Sequence, residues 1–412
     1  MRVLHVTHQY APAIGGAERY IVGLSEELAR RGHQVEVYTS RSTDYRTWAN
    51  VLPQAEVING VPVRRFRALP RRGHTWRLLE QGLRRYWPGR SPLVAPLIFY
   101  GNGPLCPGLF TAMLRNAGRF DLVHINQLHY AHAATAYAAA RLRGLPVVLT
   151  PHIHAEQRET YDVDYMRRIL HGSEIVLAVT PAERDFLIAQ GCSPQAVVTG
   201  GNGLDLAAFP PQDRAAARAC FDLPPDAFVV LFLGRKIEYK GLEPSLRAFL
   251  RLRQEQPNAV FLAVGPETAD SAALWRTYGQ QPGIVVRGAV SDSERLAALA
   301  ACDVLLLPSG GEAFGIVYLE AWAYAKPVIG APIRAVAALI DDGQDGFLVS
   351  PGQVETLAAR LAWLAAHPAE AQAMGAAGQA KLERRYTTAR IADIVEGAYA
   401  RALRRSRSRR GA

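Results

Sequence analysis

Short apolar runs alternate with amphipathic stretches along most of the chain. VLHVT (3–7) predicts a buried strand. A Gly-rich turn follows, then AERYIVGLSEELARRGHQ, whose Ile21, Leu24 and Leu28 fall on one helical face. VEVYTS (35–40), DLVHIN (121–126), PVVLTPH (146–152) and IVLAVT (175–180) extend the set of strands. A second series begins after the Pro-rich connector LDLAAFPPQDR (204–214). Its strands are FVVLFLG (228–234), AVFLAVG (259–265), IVVRG (284–288), DVLLLP (303–308) and PVIG (327–330). Strands that are apolar throughout, separated by helices, predict parallel sheets covered on both faces. The fold class expected is α/β, with two Rossmann-like doubly wound halves divided near residue 203. Neither half carries a GxGxxG directly after its first strand with an acid about 20 residues on, which argues against a dinucleotide site.

Residues 69–118 break the alternation and read as an insert on the first half. Its stretch HTWRLLEQGLRRYW predicts a helix with Trp76, Leu79, Leu83 and Tyr86 on a face opposite the arginines, the pattern of a helix lying on a membrane surface. Charge sharpens this expectation. The 412 residues carry 47 Lys and Arg against 37 Asp and Glu, a net +10. Nine arginines and one acid lie between Arg64 and Arg90, and six arginines and no acid between Arg401 and Ala412. Such excess attracts phosphate-bearing partners. The tail 404–412 is expected to be disordered. The four cysteines are scattered without a CxxC, which fits a reducing compartment and argues against a disulfide or zinc framework. The first residues show neither a long apolar core nor a small-residue cleavage site. No run approaches the about 18 apolar residues of a membrane span.

Candidate chemistry gathers at predicted strand ends. GRKIEYKG (234–241) puts Arg235 and Lys240 just past a strand of the second half, where open α/β sheets bind ligands. A forked guanidinium and a mobile ammonium together suit a diphosphate. In SGGEAFGIVYLEA (309–321), Glu312 falls in the loop before a helix and Glu320 between one and two turns into it. The amides of Gly315, Ile316 and Val317 at that helix start form an anion site. Carboxylates beside an anion site make sense as acceptors for hydroxyls, and a nucleotide sugar offers both a diphosphate and polyols. In the first half, Gly15 and Gly16 let backbone approach a ligand, and His152 ends a strand where its imidazole can meet a hydroxyl.

The series GGAERY, TPH, NGLDLAAF, GRKIEYKG, GAVSDSERLAALA and PSGGEAFGIVYLEAWAYAKPVI resembles the retaining glycosyltransferases of family GT4, over nearly the whole chain apart from the insert. The resemblance implies a GT-B fold, two Rossmann-like domains facing across a cleft. Residues 1–203 are then the acceptor-side domain, completed by a crossover helix near 386–403, and 204–385 the donor domain. It implies donor-binding roles for Gly15, Gly16, Asn202, Gly234, Gly265, Gly288, Val290, Phe314, Gly315, Ile316, Val317 and Glu320, with Glu320 on the ribose hydroxyls. Catalytic roles fall to His152 near the donor sugar, Arg235 and Lys240 on the leaving diphosphate, and Glu312 on the sugar hydroxyls. One departure stands out: where many members carry GG-x-x-E, this chain reads GAPIRAVAALI, with Arg334 and no acid before Asp341.

The implied reaction moves a hexose from a UDP- or GDP-sugar such as GDP-mannose to a sugar, glycolipid or polyprenyl-linked hydroxyl in polysaccharide or cell-envelope synthesis. Anomeric configuration is retained by front-face displacement. No cofactor is expected, and no metal, although YDVDY (161–165) contains the DxD by which the other glycosyltransferase fold binds metal and diphosphate. HVTH, HYAH and HIH lack completing ligands. The expected location is the cytoplasm, peripheral to the inner face of an anionic membrane. Competing readings are a GT-B protein that binds without catalysis and a basic nucleic-acid-binding protein; no nucleic-acid module is recognisable.

Overall fold

The computed structural model describes residues 1–13, 15–89, 92–153 and 161–411. The chain divides into two compact units, Met1–Gly203 with Thr388–Ala412, and Leu204–Thr387.

The first unit is built on β1 (Arg2–Val6), β2 (Gln34–Ser40), β3 (Ala55–Ile58), β4 (Val61–Phe66), β5 (Leu122–Asn126), β6 (Val147–Thr150), β7 (Ile175–Ala178) and β8 (Val197–Thr199), ordered β3-β4-β2-β1-β5-β6-β7-β8. Every pairing but one is parallel. β3 runs antiparallel to β4 through Asn59-Gly60, whose φ values of 46° and 82° make the two-residue turn that suits a hairpin. The alternating side chains of β1 and β5 feed two cores, one on each face of the sheet. Leu4, Val6, Val123 and Ile125 join one, and Val3 and Leu122 the other.

The helix Thr388–Gly411 closes this second core with Ile391, Ala392, Val395, Ala398, Tyr399 and Ala402. Its Tyr399 hydroxyl lies 2.9 Å from His5 Nε2 and 2.7 Å from His124 Nδ1, joining the helix to paired positions of β1 and β5. The expectation of a disordered tail is corrected here, because the helix runs on to Gly411. Its buried first half supplies the costly nucleus, and the Arg- and Ala-rich continuation propagates it without a Gly or Pro before the end.

The insert is helical over Gly73–Gly89, Ala95–Asn102 and Pro107–Asn116. The membrane-facing reading of its apolar stripe is also corrected. Leu79 and Leu83 pack on the core, and Tyr86 is buried with its hydroxyl accepting from the Asp164 amide at 3.0 Å. Gly101 lets the first two helices cross closely, since a Cβ there would sit 2.6 Å from Leu79 Cβ. Trp76 alone of the stripe stays outside, 41% exposed, with the Arg71 guanidinium 3.8 Å above its ring. Among the described residues no single helix is long and apolar enough to cross a membrane.

The second unit carries β9 (Val229–Leu233), β10 (Val260–Val264), β11 (Ile284–Arg287), β12 (Val304–Leu307), β13 (Val328–Gly330) and β14 (Gly346–Leu348), ordered β11-β10-β9-β12-β13-β14 and parallel throughout. Strand order reverses between β9 and β12 here, and between β1 and β5 in the first unit. The carboxyl ends of those four strands are therefore where each unit opens a crevice.

Candidate active site

In the second unit, β9 ends at Leu233 and the chain passes Gly234 and Arg235 to a short 3₁₀ turn, Glu238–Lys240. The loop after β12 is tied to this turn: the Gly310 amide donates to the Tyr239 carbonyl at 2.7 Å. The tie aims Lys240 at the opposing loop, where its Nζ reaches Glu312 Oε1 at 2.5 Å. Both side chains are mostly buried, 15% and 11% exposed, so each neutralises the other where water cannot. Arg235 is exposed at the strand end.

The helix Ile316–Ala323 starts beyond Glu312 with no side chain capping it, which leaves its first amides to a ligand or water. Gly315 opens it at φ 91°, and a Cβ there would lie 2.6 Å from the Tyr318 ring, so both conformation and space demand glycine. Phe314 is buried, its ring 5.7 Å from that of Tyr386, and fixes the loop from below. Glu320 is buried on the same helix. Its ion partner is not Lys240 but Arg295, whose Nη1 lies 3.2 Å from Oε1. The two acids that the sequence paired thus have separate cations.

The ends of β9, β10 and β11 are stitched by a residue that sequence reasoning passed over. Lys236 is buried and donates to the carbonyls of Gly265 (2.8 Å) and Arg287 (2.7 Å), and it pairs with Glu267. Burial pulls its ammonium below the usual lysine range, and Glu267 opposes that pull. Gly265 packs on Gly234, where any Cβ would overlap the Gly234 carbonyl, and its amide donates to Gly288 O at 3.1 Å. Val290 follows, half-buried, on the half-open edge beside β11. Arg334, from the departing GAPIRAV stretch, is exposed at the start of Arg334–Ala337.

In the first unit, β1 runs into His8, and the helix Gly16–Arg30 follows with Gly15 as its cap. His8 Nε2 lies 3.0 Å from Glu18 Oε1, and both are buried. Burial pushes the Glu18 carboxyl up, but the His8 hydrogen bond and charge, with the helix backbone, more than offset it and hold it below the usual value. His152, after β6, is buried at φ 52°, a left-handed conformation rare outside glycine. Its Nε2 meets Asn126 Oδ1 at 2.8 Å, and Asn126 Nδ2 donates to Thr7 Oγ1 and Ala17 O. That commitment makes Oδ1 the acceptor and puts the imidazole proton on Nε2. Glu183 fixes the next residue: its two oxygens accept from the amides of Ile153 and Val179, each at 2.6 Å. Burial raises its carboxyl to about 7. Asn202 is buried in the same unit, its Oδ1 without a hydrogen-bond partner.

Asn126 and Glu183 were missed as site residues. A polar residue closing the apolar run DLVHIN was the available signal for the first; the second had none. The DxD carboxylates are engaged: Asp162 and Asp164 both pair with Arg167. Among the described residues no group of three or more His, Cys, Asp or Glu could hold a metal ion. His154, of HIH, lies outside the described residues.

Comparison with known proteins bears on this geometry. The family described as "Glycosyl transferases group 1" matches residues 213–381, and the "Glycosyl transferase 4-like domain" matches 15–203. A D-inositol 3-phosphate glycosyltransferase of Kineococcus radiotolerans is 31% identical, over 97% of this chain and 93% of its own length. The chain belongs to the GT4-type glycosyltransferases. A second relative of that name, from Streptosporangium roseum, is 29% identical over 94% of this chain and 89% of its own. In fold, this glycosyltransferase is similar to Anabaena HepE in complex with UDP and glucose, with a TM-score of 0.74 at 19% identity, covering 97% and 99% of the two chains. It is equally similar to the sucrose-phosphate synthase of Thermosynechococcus elongatus, with a TM-score of 0.74 at 20% identity, covering 98% and 100%. The fold is GT-B.

Proposed function

We propose that this glycosyltransferase transfers a hexose from a nucleotide-diphosphate sugar to the hydroxyl of a lipid-linked or glycolipid acceptor, with retention and without a metal. The observation that carries the reading is the Lys240–Glu312 pair at the β9/β12 switch point, beside a helix start that no side chain caps. Lys240, Arg235 and the amides from Gly315 on stabilise the leaving diphosphate, an electrostatic task. Glu312 accepts from donor-sugar hydroxyls and Glu320 from the ribose. A diphosphate oxygen takes the acceptor proton as the new bond forms on the face the leaving group quits. To His152, its proton fixed on Nε2 by Asn126, the reading assigns a donor-sugar hydroxyl. Both DxD carboxylates being engaged with Arg167 supports a metal-free route.

UDP is the favoured base, because structures of HepE hold UDP and UDP-glucose. D-inositol 3-phosphate, named for the relatives, is the second acceptor class to test. Thermal shift with UDP, GDP and their hexoses, with and without EDTA, tests donor and metal together. A shift with one base class that EDTA leaves intact is expected. No shift with any donor overturns the reading. Product anomeric configuration by NMR tests retention.

Association with an anionic membrane stands as part of this proposal, on revised grounds. Leu69, Trp76, Leu93 and Tyr100 are exposed by 40–86% on an arginine-rich segment. Each basic residue near an anionic surface adds about 1 kcal/mol. Co-sedimentation with phosphatidylglycerol vesicles at low salt is expected, and weakened by Trp76→Asp. Failure to sediment removes this part alone.

A further inference from the structure

The helix Thr388–Gly411 outlasts the core it completes. Ala402 is buried in that core and Leu403 packs at its margin, but the turns beyond, RRSRSRRG (404–411), offer no apolar side chain. One face of this overhang still has a neighbour. Leu403, Ser406 and Arg407 recur at i, i+3 and i+4, and together they border a cavity of about 300 Å³. That volume falls at the small end of ligand sites. The rest of the lining comes from the segments that lead into β5 and β6, within 117–121 and 143–146. The hollow therefore lies at the amino ends of these strands, whereas Asn126 and His152 stand at their carboxyl ends.

Phe120, Leu145 and Pro146 line the hollow as buried apolar surface. Its charge is positive. Among the described residues the lining holds one acid, Asp121, and both its oxygens are spent on Arg2: Oδ1 accepts from Nε and Nη2, and Oδ2 from the amide. Arg143 follows the helix Ala131–Leu142 and Arg407 belongs to the tail helix, so two guanidiniums reach the hollow from separate elements. Both are exposed, and among the described residues neither has a carboxylate partner. One guanidinium fork saturates the two oxygens of a carboxylate. A phosphate ester presents more oxygens, enough for two forks and the Ser406 hydroxyl, while its organic body rests on apolar surface.

We propose that this hollow is a binding site for a small phosphate ester, gripped by Arg143 and Arg407 over the Phe120–Leu145–Pro146 surface. Such a ligand joins the overhanging tail helix to the sheet and gives the basic turns 404–411 a partner that the core does not. The site is separate from the donor site and does not rest on the reading of glycosyl transfer.

Calorimetry on the full chain tests this with two probes, sn-glycerol 3-phosphate and dihexanoyl-phosphatidylglycerol below its micelle concentration. Both carry the ester, and they differ in source, one soluble and one a lipid headgroup. At least one is expected to bind at millimolar concentration. Binding of the lipid alone assigns the site to a membrane surface, and binding of glycerol phosphate assigns it to a soluble ester. Arg143→Gln and Arg407→Gln each weaken binding about tenfold or more, the worth of a hydrogen bond to a charged group. Arg404→Gln makes the same charge change on an exposed residue of the same helix outside the lining, and leaves affinity within about twofold. Gly118→Phe keeps every arginine but fills the rim, where an added Cβ meets nothing within 4 Å, and it abolishes binding. Gly118, Arg143 and Arg407 are all exposed, so these variants fold as the unaltered protein does. Silence of both probes overturns the inference. An equal loss in Arg404→Gln and Arg143→Gln, the sign of diffuse charge attraction, overturns it too, as does unchanged binding in Gly118→Phe.

Discussion

Lys240 and Glu312 serve as each other's counterion: Nζ lies 2.5 Å from Oε1, with both side chains largely shielded from water. On the proposed function, a group for the diphosphate and a group for the sugar hydroxyls are therefore stored together. On that reading, a donor would not meet two bare charges; it would exchange one partner for another. Replacing a single member leaves the other buried and unpaired, which is worse for the fold than replacing both.

Lys240→Ala is accordingly expected to lower turnover about 100- to 1000-fold. It should also lower stability by about 1–3 kcal/mol, through the stranded Glu312 carboxylate. The double variant Lys240→Met with Glu312→Gln should regain most of that stability and remain inactive. Chemical denaturation alongside initial rates checks both; equal stability losses in single and double variants would contradict the pairing argument.

Gly315→Ala is expected to cost about 1–2 kcal/mol, because φ 91° disfavours any side chain and the new Cβ would meet the Tyr318 ring. Donor affinity should fall with it, since the helix start is displaced. A variant that melts and binds as the unaltered protein does would place the anion site elsewhere.

Three histidines of the first unit make its stability acid-sensitive. Burial holds His5 and His132 near pKa 3, against an ordinary 6.5, and His124 well below its ordinary value. The unfolded chain binds protons that the folded chain refuses. Stability is therefore whole above pH 6.5 and declines as pH falls toward 3, by up to about 1.4 kcal/mol per pH unit for each histidine. Glu183 acts with opposite sign: its carboxyl is raised from 4.5 to about 7, so its contribution is full below 4.5 and is lost as pH rises through 7. Three groups outweigh one, and the denaturation midpoint should drop between pH 7 and pH 5. Tyr399→Phe, which strands a ring nitrogen on both His5 and His124, should cost about 1–3 kcal/mol at pH 7.

Glu183→Gln keeps the shape but presents an NH₂ to one of two amides that need an acceptor. The segment that holds His152 in its left-handed conformation should loosen. Turnover is expected to fall about 10- to 100-fold, as displacements of about 1 Å do, while nucleotide affinity in the other unit is preserved. Parallel measurement of rate and UDP affinity separates the two; a loss confined to affinity would contradict this role.

What the sequence disclosed follows from the range of the forces involved. Strands such as VVLFL and VLLL are read easily because a strand buried on both faces has no polar positions to confuse it. The β3–β4 hairpin was legible in Asn59-Gly60 and was missed because the parallel rhythm drew attention from a local turn signal. Lys240 and Glu312 were both candidate site residues in the sequence, but nothing in their 72-residue separation announced that they touch. Lys236 looked like one more cation in GRKIEYKG; only the convergence of three strand ends buries it. Arg295 sits on a helix that shows ordinary amphipathic spacing, and its partner is set by tertiary packing. The tail misled because charge density suggested disorder, while the buried half of the same helix decided otherwise.

The return of residues 388–411 to the first unit has a consequence for how the protein is made. In chain order the Leu204–Thr387 unit is an insertion between a sheet and the helix that completes it. During synthesis the inserted unit emerges whole while His5 and His124 still lack the Tyr399 hydroxyl, 394 and 275 residues away from them along the chain. The nascent first unit must wait with one face of its sheet uncovered, so the later-encoded unit is free to mature first, and a nascent chain stalled before residue 388 would expose apolar surface that the finished protein hides.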